Sequence, residues 1–249
     1  MKSNKQKIKL MTHVVAGYPS LKATETLVLN MAKAGVDFIE IQIPFSDPLA
    51  DGPTIMEAND QALKNGATVQ DCFTLMKKLS AQVNIPLLFM SYYNILFNYG
   101  LKKFCQKAHA CGAQGLIIPD IPLDEESSEH FIANCEKYHL NHIRLLSPSS
   151  TEKRIKLNAQ VQNGFVYCTS RVGTTGAKNQ IAPDLKNYLK KIRRYISVPI
   201  AVGFGISKPE HVQALIGHAD IAVIGSAIIE KIKKDGVNSV QGFIKSLSR

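Results

Sequence analysis

Eight short runs rich in β-branched and aromatic residues recur along the chain, at 8–15, 38–43, 87–92, 115–118, 142–146, 165–168, 200–203 and 221–224, and this recurrence limits the fold more than any other feature. Segments with helical periodicity lie between them, for example 26–34, 69–79, 125–138 and 211–216. Strands that alternate with helices imply a parallel sheet with crossover helices, an α/β class. An open doubly wound sheet usually opens with a GxGxxG phosphate turn, and the sequence has none. Eight strand–helix units in 249 residues match the roughly 250 residues of a closed (β/α)8 TIM barrel. No Ser/Gly-rich linker or shift of composition divides the chain, so residues 1–249 read as a single domain.

Composition removes the other classes. Hydrophobic residues at 45% and charged residues at 20% suit a packed core and exclude disordered or fibrous chains. No run approaches the ~18 apolar residues of a spanning helix. The start is basic (Lys2, Lys5, Lys7, Lys9), but the run after it holds Thr12 and His13 and no small-residue cleavage pattern, so a cytoplasmic enzyme is expected. The five cysteines, Cys72, Cys105, Cys111, Cys135 and Cys168, form no CxxC pair and no metal spacing, and read as small buried hydrophobes in a reducing compartment. The net charge of +10 favours an anionic substrate. The densest basic run, 186–194, carries Leu185, Leu189 and Ile192 on one helical stripe, so its cations form a solvated face and not a nucleic-acid site. Two helix starts are expected from hydroxyl–carboxylate spacing, at Ser207 with Pro209 and Glu210, and at Ser149 with Glu152.

A barrel keeps its chemistry at the C-terminal ends of its strands. In Phe38-Ile39-Glu40-Ile41-Gln42-Ile43 strand geometry sends the isoleucines to one face and Phe38, Glu40 and Gln42 to the other. With the isoleucines against the helices, Glu40 and Gln42 point into the barrel. A carboxylate there needs a partner or gains a raised pKa, which is how a general acid arises. A buried Lys or Arg could equally neutralise it. The loop that follows, 44–55, is rich in Pro, Gly and Asp; its Asp51 is either a turn residue or a second functional carboxylate. Glycine-rich segments follow the sixth, seventh and eighth strand runs, and loops after strands seven and eight often bind phosphate in such barrels.

The segment Glu40-Ile41-Gln42-Ile43-Pro44-Phe45-Ser46-Asp47-Pro48-Leu49-Ala50-Asp51-Gly52-Pro53 strongly resembles the strand-two signature ELGxPFSDPLADGP of the tryptophan synthase α subunit. The resemblance continues in order through Ser91-Tyr92-Tyr93-Asn94, Pro119-Asp120-Ile121-Pro122, Ser170 to Gly176, Gly203-Phe204-Gly205-Ile206-Ser207 and Gly225-Ser226-Ala227. It implies a lyase that cleaves indole-3-glycerol phosphate to indole and glyceraldehyde 3-phosphate in tryptophan biosynthesis. By that resemblance Glu40 handles protons at the indole carbon and a side-chain hydroxyl, and Asp51 holds the indole N–H.

The same resemblance makes Gly176, Gly205, Gly225 and Ser226 phosphate contacts. It makes residues 169–183 a closing loop whose Thr175 bonds Asp51, and it puts Tyr167, Tyr92, His13 and Gln42 around the substrate. It implies no cofactor in this chain and no metal. A β subunit carrying pyridoxal phosphate would be the partner in an α2β2 heterotetramer, contacted through Asp47, Pro48 and Asn94. The sequence departs from the family at two places: His13 stands where Phe or Tyr is usual, and Gln42 where Gly is usual, which implies a reshaped ring pocket with lower activity or altered ring tolerance. Two alternatives stay open, a largely non-catalytic module that activates a β subunit, and another phosphosugar barrel isomerase.

Overall fold

The computed structural model describes residues 8–169, 185–203 and 205–247. The elements run β1 (Lys9–Val15), α1 (Leu21–Ala34), β2 (Phe38–Gln42), α2 (Pro53–Lys64), α3 (Val69–Ser80), β3 (Leu87–Met90), α4 (Tyr93–Tyr99), α5 (Leu101–Ala110) and β4 (Gly115–Ile117). They continue with α6 (Glu126–Glu129), α7 (Phe131–Lys137), β5 (Asn141–Leu146), α8 (Glu152–Gln160), β6 (Val166–Thr169), α9 (Leu185–Arg193), β7 (Ile200–Gly203), α10 (Pro209–Leu215), β8 (Ile221–Ile224), α11 (Ser226–Asp235) and α12 (Val240–Leu247). Each strand pairs in parallel with the next, and β8 closes on β1, so the eight strands form a closed barrel. All eight expected runs are strands, with ends moved by a few residues.

Strand parity divides the apolar residues into two clusters. Met11, Leu88, Met90, Ile117, Ile143, Phe165, Ala201, Ile221 and Val223 fill the barrel, with Phe38 packed against them. Ile39, Ile41 and Ile43 join the larger cluster between the strands and the helices, as the alternation in β2 requires. The interior filling makes the barrel a packed core and leaves polar side chains room only near the C-terminal strand ends. All five cysteines are buried and unpaired.

The helix starts at 149 and 207 differ from expectation. The cap of α8 is Thr151, whose hydroxyl accepts from the Arg154 N–H at 3.2 Å, while the Ser149 hydroxyl is spent on Ser147 at 2.8 Å. In α10 the residue before the helix is Lys208, Pro209 fills the first turn, and the Ser207 N–H donates to His211 Nδ1 at 3.3 Å. The stretch 125–138 is broken into α6 and α7 because His130 takes a left-handed conformation, φ 53°. The Glu126 carboxylate then accepts from the N–H groups of Ile132 and Ala133 at 2.8 and 3.1 Å, replacing an ordinary cap. In α9, Leu185, Leu189 and Ile192 are buried and Lys186, Lys190 and Arg193 exposed, so the basic run is a solvated face.

Candidate active site

The β1–β2 register sets His13 directly beside Glu40. Both side chains point into the barrel, and His13 Nδ1 lies 3.0 Å from Glu40 Oε1 with both residues buried. Among the described residues Glu40 therefore has an imidazole as its partner and not a lysine or arginine. Burial works against a charged His13, but the Glu40 hydrogen bond and charge, helped by Asp51 and Gln42, overcome it and raise the His13 pKa above its usual value.

Asp51 is carried by the loop after β2, and that loop is tied down at both ends. The Phe45 N–H donates to the side-chain oxygen of Asn59, buried in α2, at 3.0 Å, and the Phe45 ring stacks on Tyr92 with centroids 5.3 Å apart. Nearer Asp51, the Ala50 N–H donates to the Tyr92 hydroxyl at 3.0 Å and the Asp51 N–H to the Pro48 carbonyl at 2.9 Å. So held, Asp51 Oδ2 accepts from Gln42 Nε2 at 2.7 Å and from the Tyr92 hydroxyl at 3.0 Å. Burial raises the Asp51 pKa, while the His13 charge and those two hydrogen bonds pull it back only in part.

Glu40 and Asp51 open onto one cavity of about 110 Å³ at the C-terminal end of the barrel. Its apolar wall includes Ile55, Met90, Ile117, Leu145 and Val223, and its far wall is formed by Gly203, Gly205, Gly225 and Ser226. A Cβ on Gly203 would stand 2.5 Å from the Tyr167 hydroxyl, so only glycine lets that ring lie where it does. Burial, together with the charges of Glu40 and Asp51, holds the Tyr167 pKa well above its usual value and keeps the phenol neutral. Gly225 immediately precedes α11, ten residues long, whose first N–H groups lack intrahelical acceptors and whose dipole favours an anion. A larger cavity of about 340 Å³ opens at the opposite end, floored by Phe38, Leu88, Phe165 and Ile221, and contains neither acid.

Of the residues expected at the site, His13, Glu40, Asp51, Tyr167, Gly205, Gly225 and Ser226 line this cavity. Gln42 and Tyr92 do not line it; both are buried beside it and hold Asp51. Thr175 and Gly176 lie outside the described residues. Asp47 and Asn94 are exposed, but Pro48 is buried, its carbonyl spent on the Asp51 N–H. The exposed place beside it belongs to Leu49, 84% accessible, and Phe97 on α4 is 62% accessible. Sequence reasoning passed over both, because an isolated leucine or phenylalanine reads as core. Among the described residues no group of three or more His, Cys, Asp or Glu could hold a metal ion, and no helix is long and apolar enough to cross a membrane.

Comparison with known proteins agrees over the whole chain. The family model of the tryptophan synthase alpha chain matches residues 1–248. The tryptophan synthase alpha chain of Desulfotalea psychrophila is 45% identical over 246 residues, which cover 99% of this chain and 96% of that protein. That of Syntrophotalea carbinolica is 42% identical over 240 residues, 96% of this chain and 94% of its own. Among solved structures, tryptophan synthase from Mycobacterium tuberculosis superposes with a TM-score of 0.90 at 30% identity, covering 98% of this chain and 92% of that one. The tryptophan synthase A-subunit from Pyrococcus furiosus gives 0.89 at 30% identity, with 98% of each chain covered.

Proposed function

Because the chain belongs to the tryptophan synthase alpha chain family, with the alpha subunit's lyase role in tryptophan biosynthesis, we propose that Glu40 and Asp51 divide the work of cleaving indole-3-glycerol phosphate. The retro-aldol step must protonate the indole carbon that loses its substituent and remove a proton from a side-chain hydroxyl. Glu40 is the acid/base group for both transfers. Asp51 accepts the indole N–H and offsets the positive charge that develops on the ring. Two carboxylates in unlike surroundings suit those unlike tasks.

The observation that carries this reading is that both acids share one cavity with the glycine wall and the start of α11. A ring placed against Met90, Ile117 and Leu145 reaches both carboxylates, and its phosphate tail then meets Gly205, Gly225 and Ser226, chiefly at backbone N–H groups. Tyr167 contributes an apolar face and a neutral hydroxyl to the same wall. The chain needs no cofactor of its own for this chemistry.

The partner is a β subunit that carries pyridoxal phosphate and consumes the indole, in an α2β2 assembly in the cytoplasm. Asp47 and Leu49, from the loop after β2, and Asn94 and Phe97, from α4, form the face that meets it. Two exposed apolar side chains within a polar rim are what such an interface requires. The test is indole release from indole-3-glycerol phosphate by wild type, Glu40→Gln and Asp51→Asn, with and without the β subunit. Glu40→Gln should lose at least ~100-fold in kcat, the lower end for a lost proton-transfer group, and Asp51→Asn about 100-fold or more, as for a lost group that stabilises transition-state charge. Unchanged turnover in Glu40→Gln overturns its assignment.

A further inference from the structure

His13 and Gln42 stand between the two acids. His13 bonds Glu40 through Nδ1, and Gln42 bonds Asp51 through Nε2. The remaining polar atom of each, His13 Nε2 and Gln42 Oε1, is buried without a hydrogen-bond partner among the described residues. In the β1–β2 register His13 stands opposite Glu40 and Val15 opposite Gln42, so Gln42 is the inward neighbour of His13 one pleat further along β2, within reach of a long side chain. The Gln42 side chain also acts to raise the His13 pKa, as an acceptor does. We propose that His13 and Gln42 are positioning residues that close into a hydrogen-bonded bridge from Glu40 to Asp51, so that a proton on His13 and an ionised Asp51 require each other.

The donor and acceptor inventory makes the bridge two-valued. With His13 protonated, Nδ1–H donates to Glu40 and Nε2–H to Gln42 Oε1, and the Gln42 amide donates to ionised Asp51. Every link then has one donor and one acceptor. With His13 neutral and its proton kept on Nδ1 for Glu40, a bare Nε2 faces a carbonyl oxygen. The clash is relieved when the Gln42 amide turns over, which presents its carbonyl to Asp51 and demands that Asp51 carry a proton. The two arrangements hold the same number of protons, on His13 in one and on Asp51 in the other, and the protons exchange with solvent or substrate, not through the amide. Among the described residues the groups facing His13 are Glu40 and Gln42 from β2, Asp51 from the loop, and uncharged Gly225 after β8. Each unpaired buried polar atom is costly, and among the described residues the bridge pairs His13 Nε2 with Gln42 Oε1, leaving only Glu40 Oε2 of the site's orphaned atoms.

This inference rests on the reading of Glu40 and Asp51 given above, and its test is separable from that reading. The His13 imidazole is titrated by NMR in the full chain, in wild type, Asp51→Asn, Gln42→Met and the double variant. Asp51→Asn should lower the His13 midpoint in the presence of Gln42, by about one pH unit. In the Gln42→Met background less than half of that shift should remain, the part that Asp51 exerts as a charge through space. Equal shifts in both backgrounds overturn the bridge. The wild-type protein supplies a second readout that needs no variant: the Gln42 side-chain amide resonances should move with the His13 midpoint, and an amide that stays flat across the titration overturns the proposal as well. If Glu40→Gln keeps full turnover while the NMR coupling is present, the catalytic reading fails and the bridge stands. A lost activity in Glu40→Gln with no coupling has the reverse meaning.

Discussion

Tyr92→Phe isolates one of the two hydrogen bonds that favour the ionised form of Asp51. The hydroxyl donates to Asp51 Oδ2 at 3.0 Å and accepts from the N–H of Ala50, a residue exposed to solvent. Water replaces the second contact, and the ring keeps its stacking on Phe45, so the loss falls on the carboxylate. A hydrogen bond to a charged group contributes about 1.5–3 kcal/mol. Expressed wholly in the ionised form, that raises the Asp51 pKa by roughly one to two units, since one unit is about 1.4 kcal/mol. Burial already holds this pKa above its usual value, so the acid limb of kcat/KM should move up by the same one to two pH units, with most activity recovered at alkaline pH. The stability consequence follows by linkage. A carboxyl whose folded pKa is raised binds more protons folded than unfolded across the window, and stability therefore falls as pH rises through it. The variant should thus match wild type in acid and be weaker by about 1.5–3 kcal/mol once Asp51 ionises. Rate–pH profiles and urea midpoints measured from acid to alkaline pH check both. A uniform loss at every pH, or an acid limb that does not move, refutes the reasoning.

Gly203→Ala pushes a Cβ to 2.5 Å from the Tyr167 hydroxyl, so the ring must move into the cavity; KM for indole-3-glycerol phosphate should rise, and urea titration should show a loss of about 1–3 kcal/mol, as for other overpacked sites. Leu49→Asp with Phe97→Asp should leave the stability of the isolated chain within about 0.5 kcal/mol of wild type, as exposed sites usually do, and should abolish stimulation of indole release by the β subunit; stimulation that survives refutes the assigned face. His142, whose pKa burial and then Arg144 depress to about 4 from 6.5, binds a proton more readily unfolded than folded, so its stabilising contribution is present above pH 6.5 and is lost as pH falls toward 4. His142→Gln should reduce the acid loss of stability over that interval by ~3 kcal/mol, read from urea midpoints at both ends. His13 acts in the opposite sense: its raised pKa contributes stability below about pH 6.5 that is lost as pH rises through the folded value.

What could be read from residues alone is what depends on local geometry. The parity of β2 is such a property, and it placed Ile39 and Ile41 outside and Glu40 and Gln42 inside without knowledge of any other strand. Partners chosen over a distance were not legible. Asn59 grips Phe45 from α2, and Tyr92 reaches Asp51 from the end of β3; neither pairing follows a spacing rule. The cap at Ser149 failed for a related reason, since its hydroxyl is spent within its own turn on Ser147, while at Ser207 the helix begins one residue later than the spacing implied, with Lys208 at the cap. Register is the clearest case. Parity says that His13 faces inward, but a slip of two residues preserves parity and would bring Met11, now opposite Phe38, against Glu40. That carboxylate would then be buried beside a thioether, at the cost of an unpaired charge. The observed register gives it an imidazole instead. A polar pair inside the barrel thus helps select the strand alignment that creates it, and replacing His13 by an apolar residue should weaken the β1–β2 alignment as well as the chemistry of Glu40.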